Sequence, residues 1–192
     1  MVHRVFLVHR WDGSPDADWY PAVKEELKAR GFSVTVIPMP DAAHPTIDMW
    51  VNAVKAAVGV VDDATFFIGH SIGCQTILRF LASLSGDEHV GGAIFVGGWL
   101  TLTPESTADP ASAAVALPWL STPFDWKAVK KRVGKVTCFF SSNDPYVPLA
   151  DAAVFAKELQ AEIVIEEKMG HYTGDDEVTD LPQVVDELET ML

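Results

Sequence analysis

The chain has 192 residues, of which 48% are hydrophobic, so we expect a single domain over residues 1–192 with a sizeable apolar core. Its 14 Lys and Arg against 27 Asp and Glu give a net charge of −13, which argues against binding to nucleic acid or to a membrane surface. Cys74 and Cys138 do not form a disulfide-like framework, and no apolar run is long enough to span a bilayer, so we expect a cytoplasmic protein.

Apolar runs rich in β-forming residues alternate with helical patterns along the chain. The predicted strands cover residues 2–9, 32–39, 64–70, 91–98, 135–142 and 162–167. The predicted helices cover residues 18–31, 46–59, 71–86, 149–160 and 181–192. This alternation predicts an α/β fold of three layers, in which a mainly parallel six-stranded sheet carries helices on both faces.

Residues 99–126 interrupt the alternation and contain four prolines. A long insertion of this kind in a compact domain is usually a functional loop or a mobile segment. Because it follows the carboxyl end of the fourth predicted strand, we predict that it caps the site and that Trp99, Trp119 and Leu120 bind substrate. The alternative is that its large apolar side chains only complete the core.

The stretch "GHSIG", residues 69–73, lies between a predicted strand and a predicted helix. A GxSxG motif at such a junction is typical of a nucleophile elbow, in which Gly69 and Gly73 omit crowding Cβ atoms and Ser71 lies at the carboxyl edge of the sheet. The amide of Ile72, at the start of the helix, can then face a developing oxyanion. The alternative is a glycine-rich turn with an ordinary helix-capping serine.

A serine nucleophile needs a base, and in this arrangement the chain order is serine, acid, histidine. Only His89 and His171 follow Ser71. His89 precedes the fourth predicted strand and leaves no acid-bearing strand between itself and the serine. His171 lies on a glycine-marked loop after the last strand and is therefore the predicted base, with an ordinary surface histidine as the alternative.

The predicted acid is Asp144, which follows the fifth strand in a turn closed by Pro145. Its carboxylate would accept a hydrogen bond from His171 and fix the tautomer that faces the serine. Asp125 and Asp151 are the competitors, but neither follows a predicted strand. A purely local role for Asp144, capping the turn or the next helix, is the alternative.

The second oxyanion donor is expected from the loop after the first strand, residues 8–19. The amide of Trp11 is the first candidate and that of Arg10 the second. His9 is expected to shape this turn, and His70, inside the motif, has no predicted chemical role. The sequence predicts no metal and no cofactor, since ligand spacing and a GxGxxG motif after a strand are both absent from it.

Five segments carry a resemblance that covers essentially the whole chain: "VHRWDGSPDADWYP", "IPMPDAAHPTIDMWVNAV", "GHSIGCQTILRFL", "SSNDPYVP" and "GHY". On these motifs the chain resembles the small α/β-hydrolase family of retinoblastoma-binding-protein-like and YdeN-like serine hydrolases. The resemblance implies an α/β-hydrolase fold that begins directly with a parallel strand. It also implies a catalytic triad of Ser71, Asp144 and His171. The chain has Arg10 where many relatives have a glycine.

We therefore expect a serine hydrolase that cleaves small carboxylic esters through an acyl-enzyme intermediate, without a cofactor. A thioesterase or amidase is an alternative within the same chemistry. A different alternative is a protein-binding module that retains the fold and triad, because relatives were named for a protein partner and fold does not determine function.

Overall fold

The computed structural model describes residues 2–192. The strands are β1 Arg4–Val8, β2 Ser33–Ile37, β3 Thr65–His70, β4 Val90–Val96, β5 Val133–Ser141 and β6 Glu162–Glu166. The helices are α1 Tyr20–Ala29, α2 Ile47–Val58, α3 Ile72–Ser83, α4 Pro110–Ser121, α5 Trp126–Arg132, α6 Ala150–Leu159 and α7 Pro182–Thr190. Every predicted strand and helix is confirmed, with small shifts at the ends. Within residues 2–192, none of these helices combines the length and apolar character that crossing a membrane requires.

One six-stranded sheet runs through the molecule in the order β2-β1-β3-β4-β5-β6, and all neighbouring strands are parallel. β1 is an inner strand of the sheet. β2 pairs with one of its edges and β3 with the other, so the direction in which strands are added changes after β2. Ligands of open parallel sheets bind at the carboxyl edge beside such a change of direction. The topology therefore favours a site at the ends of β1 and β3.

Helices cover both faces of the sheet, as the alternating pattern predicts. Val5 and Leu7 of β1 pack against α1 and α7 on one face. Phe6 and Val8 of the same strand belong to the core that α2, α3, α5 and α6 cover on the other face. The period of two residues in a strand separates the two cores, and the three-layer α/β prediction is confirmed.

The insertion, residues 99–126, contains structure that the sequence did not predict. It holds a short 3-10 turn at Pro104–Thr107, all of α4 and the start of α5. Pro110 begins α4 instead of breaking a helix, and the side chain of Asp109 caps that helix by accepting from the amide of Ser112. Apolar residues occur on all sides of α4, so it shows no amphipathic period by which it could be recognised.

Candidate active site

Ser71 occupies a sharp turn between β3 and α3. Its backbone has φ 55° and ψ −122°, a conformation that L-residues rarely adopt outside functional sites. A Cβ atom at Gly69 would lie 2.9 Å from the backbone nitrogen of Cys74, and one at Gly73 would collide with the carbonyl oxygen of Val8. The two glycines therefore let the turn close tightly against β1 and leave the Ser71 side chain at the carboxyl edge of the sheet.

His171 and Asp144 form a buried pair at the same edge. Asp144 follows β5 and His171 follows β6, and the distance between Asp144 Oδ2 and His171 Nδ1 is 2.7 Å. The other oxygen of Asp144 accepts hydrogen bonds from the amides of Tyr146 and Val147 at 2.8 and 3.0 Å. Because a carboxylate can only accept, Nδ1 of His171 carries the hydrogen and its Nε2 is left free to accept a proton.

A cavity of about 560 Å³ opens beside Ser71 and His171. The other residues that line it come from five segments: the loop after β1, residues 43–44, the insertion, the loop that contains Asp144 and the loop after His171. They are Arg10, Trp11, Asp12, Ala43, His44, Trp99, Leu102, Ser106, Ala111, Ser112, Val115, Pro145, Tyr146, Thr173, Asp175 and Asp176. No hydrogen bond joins Ser71 to His171 within residues 2–192, and catalytic hydrogen bonds often tighten only when substrate binds.

Two backbone amides are available near Ser71. Ile72 is the first residue of α3, where an amide has no partner inside the helix. Trp11 lines the cavity, and its amide makes no hydrogen bond within the described part of the chain. The amide of Arg10, by contrast, donates to the hydroxyl of Tyr20 at 3.2 Å. Of the two candidates in the first loop, only Trp11 therefore has a free amide.

Comparison with known proteins decides the family. Residues 5–190 match the model of a family described as serine hydrolase. The chain belongs to the serine hydrolase family. The predicted enzyme class is thereby confirmed.

Relatives of this serine hydrolase include YdeN of Bacillus subtilis (strain 168), which is 26% identical over 188 residues and matches 98% of this chain and 95% of that protein. The serine hydrolase RBBP9 of Rattus norvegicus is 24% identical over 175 residues, 91% of this chain and 86% of that protein. The crystal structure of YdeN superposes with a TM-score of 0.87 at 25% identity, covering 99% of this chain and 98% of that one. The α/β-hydrolase fold and the resemblance to this family are confirmed.

The loop that carries His171 is held from several directions in this hydrolase. The amide of His171 donates to Asp176 Oδ2 at 2.9 Å, and its carbonyl oxygen lies 2.8 Å from His70 Nε2. Gly97, with φ +53°, lies so close that an added Cβ would be 3.3 Å from the His171 ring. The ring of Tyr146 stands perpendicular to the imidazole, with the two centroids 5.1 Å apart. These contacts leave the imidazole little freedom to rotate.

The two competing aspartates make other contacts. Asp125 caps α5 by accepting from the amide of Ala128 at 2.9 Å. Asp151 is buried and accepts from the amides of Leu100 and Thr101 at 2.7 and 2.8 Å. Asp151 therefore anchors the beginning of the insertion.

His89 and His9 make contacts away from the proposed acid and base. His89 pairs with Asp63 at 2.9 Å, at the amino-terminal edge of the sheet. His9 is buried and accepts from the amide of Met39, so it shapes the first loop as expected. Burial lowers the pKa of His9 and favours its neutral form. Within residues 2–192, no cluster of three or more His, Cys, Asp or Glu side chains could hold a metal ion.

Two of the three predicted substrate contacts require correction. Trp99 lines the cavity, but Trp119 and Leu120 do not. Trp119 is 1% exposed, donates from Nε1 to the carbonyl of Pro45 at 3.1 Å and packs edge-on against Trp50. Trp119 thus completes the core, which was the alternative, and Leu120 is 38% exposed outside the cavity.

The insertion reaches the cavity through residues that the sequence analysis missed. Ala111, Ser112 and Val115 are spaced so that they share one face of α4, and Leu102 precedes the 3-10 turn. The prediction relied on large apolar side chains, whereas the α4 residues that line the cavity are smaller. The sequence carries no periodic signal for this face, because apolar residues occur on all sides of α4.

Arg10 contributes a half-buried ion pair beside the cavity. Its Nε lies 2.7 Å from Asp18 Oδ2, and Asp18 Oδ1 accepts from the amide of Gly174 at 2.9 Å. Burial opposes ionisation of Asp18, but hydrogen bonds from Arg10 and Gly174 hold the pKa of this carboxyl below its usual value. The hydrogen bond from Gly174 to Asp18 joins the first loop to the loop that follows His171.

Proposed function

We propose that this serine hydrolase cleaves small carboxylic esters through a triad of Ser71, His171 and Asp144. The observation that carries the proposal is the buried 2.7 Å contact between Asp144 and His171 beside the cavity that Ser71 also lines. In such a triad the acid holds the imidazole in the tautomer whose other nitrogen can take the serine proton.

In the first half of the reaction, Ser71 Oγ attacks the ester carbonyl while its proton passes to His171 Nε2. The amides of Ile72 and Trp11 donate to the oxyanion of the tetrahedral intermediate, where two aligned donors act most strongly. The intermediate then collapses, and His171 returns the proton to the leaving alcohol. The products of this half are the free alcohol and an ester on Ser71.

Water completes the reaction. A water molecule gives a proton to His171 as it attacks the acyl group, and the same two amides stabilise the second oxyanion. When this intermediate collapses, His171 returns the proton to Ser71 Oγ, and the carboxylic acid leaves. Asp144 remains ionised throughout and stabilises the imidazolium that forms in each half.

We propose that the acyl chain lies along the wall formed by Trp99, Leu102 and Val115. These side chains are apolar and lie on the insertion, which supports its role as a cap beside Ser71. Each methylene that fits against such a wall contributes up to ~0.8 kcal/mol of binding until the space is full. The cavity volume, about 560 Å³, suits a small substrate.

The proposal is tested with a fluorophosphonate probe and an ester substrate. Wild type should be labelled, whereas Ser71→Ala should be unlabelled and lose on the order of 10³-fold or more in kcat, and His171→Ala should lose a similar factor. Asp144→Asn should also lose activity because the histidine adopts the wrong tautomer, and Asp125→Asn is its matched control. A folded Ser71→Ala variant that keeps a tenth of wild-type kcat would contradict the assignment.

The ester class is tested separately with one acyl group presented as an oxygen ester, a thioester and an amide. The oxygen ester should have the highest kcat/KM of the three. A higher value for the thioester or the amide would keep the triad but replace the proposed substrate class.

A further inference from the structure

His70 is a fully buried imidazole between the proposed nucleophile and the proposed base. It ends β3 directly before Ser71, and its ring lies against that of His171 with the centroids 5.3 Å apart. The mechanism proposed above uses neither of its nitrogens. Both nitrogens are nevertheless hydrogen-bonded, one to the Tyr20 hydroxyl at 2.6 Å and the other to the His171 carbonyl at 2.8 Å.

The partners of His70 determine its tautomer. A carbonyl oxygen only accepts hydrogen bonds, so Nε2 of His70 must carry the hydrogen that it shares with His171. Nδ1 then has a lone pair and accepts from the hydroxyl of Tyr20. That hydroxyl in turn accepts from the amide of Arg10 at 3.2 Å. One directed chain of hydrogen bonds therefore runs from Arg10 through Tyr20 and His70 to His171.

This chain joins two segments that are far apart in sequence and that both meet the reacting atoms. At one end it holds the carbonyl of His171. At the other end it occupies the amide of Arg10, the residue before Trp11, whose own amide is free. The side chain of Trp19 adds a parallel contact, donating from Nε1 to the carbonyl of Tyr172 at 3.0 Å.

We propose that His70 is a positioning residue, whose Nε2 hydrogen holds the backbone of His171 and whose Nδ1, through Tyr20, holds the first loop in register with Ser71. This inference rests on the proposed triad. Displacing a catalytic group by about 1 Å can cost about 10²-fold in rate. A positioning role predicts a loss in kcat with little change in KM. The reason is that the chain of hydrogen bonds contacts the proposed catalytic groups and not the wall proposed for substrate.

The test compares His70→Phe, which removes both hydrogen bonds, with His70→Gln, which keeps an N–H donor of similar reach. We expect kcat of His70→Phe to fall about 10- to 100-fold while KM changes less than about threefold. The kcat of His70→Gln should lie within about fivefold of the wild-type value. Ile68→Ala, a buried change in the same strand, is the control for lost stability and should leave kcat near the wild-type value.

A second readout reports the tautomer directly. Two-bond ¹H–¹⁵N correlation spectra of histidine-labelled protein should show His70 protonated at Nε2 in wild type. Tyr20→Phe removes the donor to Nδ1, so this variant should show part of His70 protonated at Nδ1 and a lowered kcat. If His70→Phe does not fold, His70→Gln and Tyr20→Phe carry the test.

The outcomes separate this inference from the proposed function. Wild type that is folded but neither labelled at Ser71 nor active would overturn the proposed function and the inference together. If wild type is active and kcat of His70→Phe stays within threefold of the wild-type value, the inference alone is overturned. The same holds if His70 is protonated at Nδ1 in wild type, or if the loss in kcat for Ile68→Ala equals that of His70→Phe at matched stability.

Discussion

Gly97 lies against the His171 ring in a conformation that favours glycine. Its φ is +53°, and an added Cβ would lie 3.3 Å from Cε1 and Nδ1 of the imidazole. Gly86 has almost the same φ, +54°, but an added Cβ there meets nothing within 4 Å. The two glycines therefore present the same backbone strain with and without the proposed base as a neighbour.

We expect Gly97→Ala and Gly86→Ala each to lower the free energy of unfolding by about 1 kcal/mol, the usual cost of a left-handed L-residue. Only Gly97→Ala should also lower kcat, by about tenfold, because the new methyl group displaces His171. Chemical denaturation and ester turnover measure the two effects. Equal kcat in both variants would mean that the His171 ring tolerates the added atom.

The buried His70 should make the stability of the fold depend on pH. Burial lowers the pKa of His70 from 6.5 to about 3, and the neighbouring His171 adds to the effect. Between these values the unfolded chain binds a proton that the folded chain excludes. This contribution to stability is therefore fully present above pH 6.5 and is lost as the pH falls toward 3. The other groups facing the ring are the Tyr20 hydroxyl and, further away, the ion pair of Arg10 and Asp18.

From pH 7 to pH 5 the loss from this one group should be about 2 kcal/mol in the free energy of unfolding. The glutamine of His70→Gln does not titrate. The free energy of unfolding of this variant should therefore fall by about 2 kcal/mol less than that of wild type between pH 7 and pH 5. The buried His9 contributes equally to both proteins and cancels in the comparison. Parallel stability curves for wild type and variant, measured by denaturation at several pH values, would contradict a neutral His70.

At the scale of secondary structure, α4 presents one face to the cavity and another to solvent. Val115 lines the cavity, whereas Leu117 on the same helix is 62% exposed and does not. Val115→Phe should fill part of the proposed acyl site and shorten the longest ester chain that is hydrolysed well. Leu117→Phe, the matched control, should leave the chain-length profile unchanged. Equal profiles for Val115→Phe and wild type would remove α4 from the substrate site.

The same helix is attached to the body of the molecule through Trp119. The carbonyl of Trp119 accepts from Arg79 at 3.0 Å, and the guanidinium of Arg79 lies 4.4 Å from the centroid of the Phe124 ring. Trp119→Ala should lower the free energy of unfolding by about 3 to 5 kcal/mol, as large-to-small core changes do. Leu120→Ala should stay within about 0.5 kcal/mol of wild type, because Leu120 lies outside the core. A small effect of Trp119→Ala in thermal denaturation would contradict its place in the core.

At the scale of the whole molecule, charge should select among substrates. The net charge is −13, and Asp12, Asp175 and Asp176 line the cavity. The guanidinium of Arg10 is already paired with Asp18 and offsets little of this charge. An ester that carries a carboxylate should therefore approach and bind less well than a neutral ester of the same shape.

We expect kcat/KM for the anionic ester to be about tenfold lower at low salt, and the ratio to shrink as salt shortens the screening length. Asp175→Asn should reduce the difference in kcat/KM between the neutral and the anionic ester. Asp16→Asn removes the same charge from an exposed position outside the cavity and is its control. If the ratio of kcat/KM between the two esters does not change with salt, the aspartates that line the cavity have no part in selecting the substrate.

The six strands, the five helices outside the 99–132 region and the edge at which the three candidate residues lie could be predicted from the sequence. Strands and helices have short periods, so local runs of apolar residues identify them without knowledge of the fold. Parallel strands bring their carboxyl ends to one edge, which is why Ser71, Asp144 and His171, each following a strand, lie there together.

Other features depend on contacts between distant parts of the chain and were decided only by the tertiary structure. Trp119 belongs to the core because it meets Pro45 and Trp50, and its own neighbours in sequence do not indicate this. Trp11 is favoured over Arg10 because a hydroxyl from α1 occupies the Arg10 amide. His70 bonds a carbonyl 101 positions away. A hydrogen bond of this kind depends on where two segments meet in space, and that follows from the packing of the whole sheet and its helices.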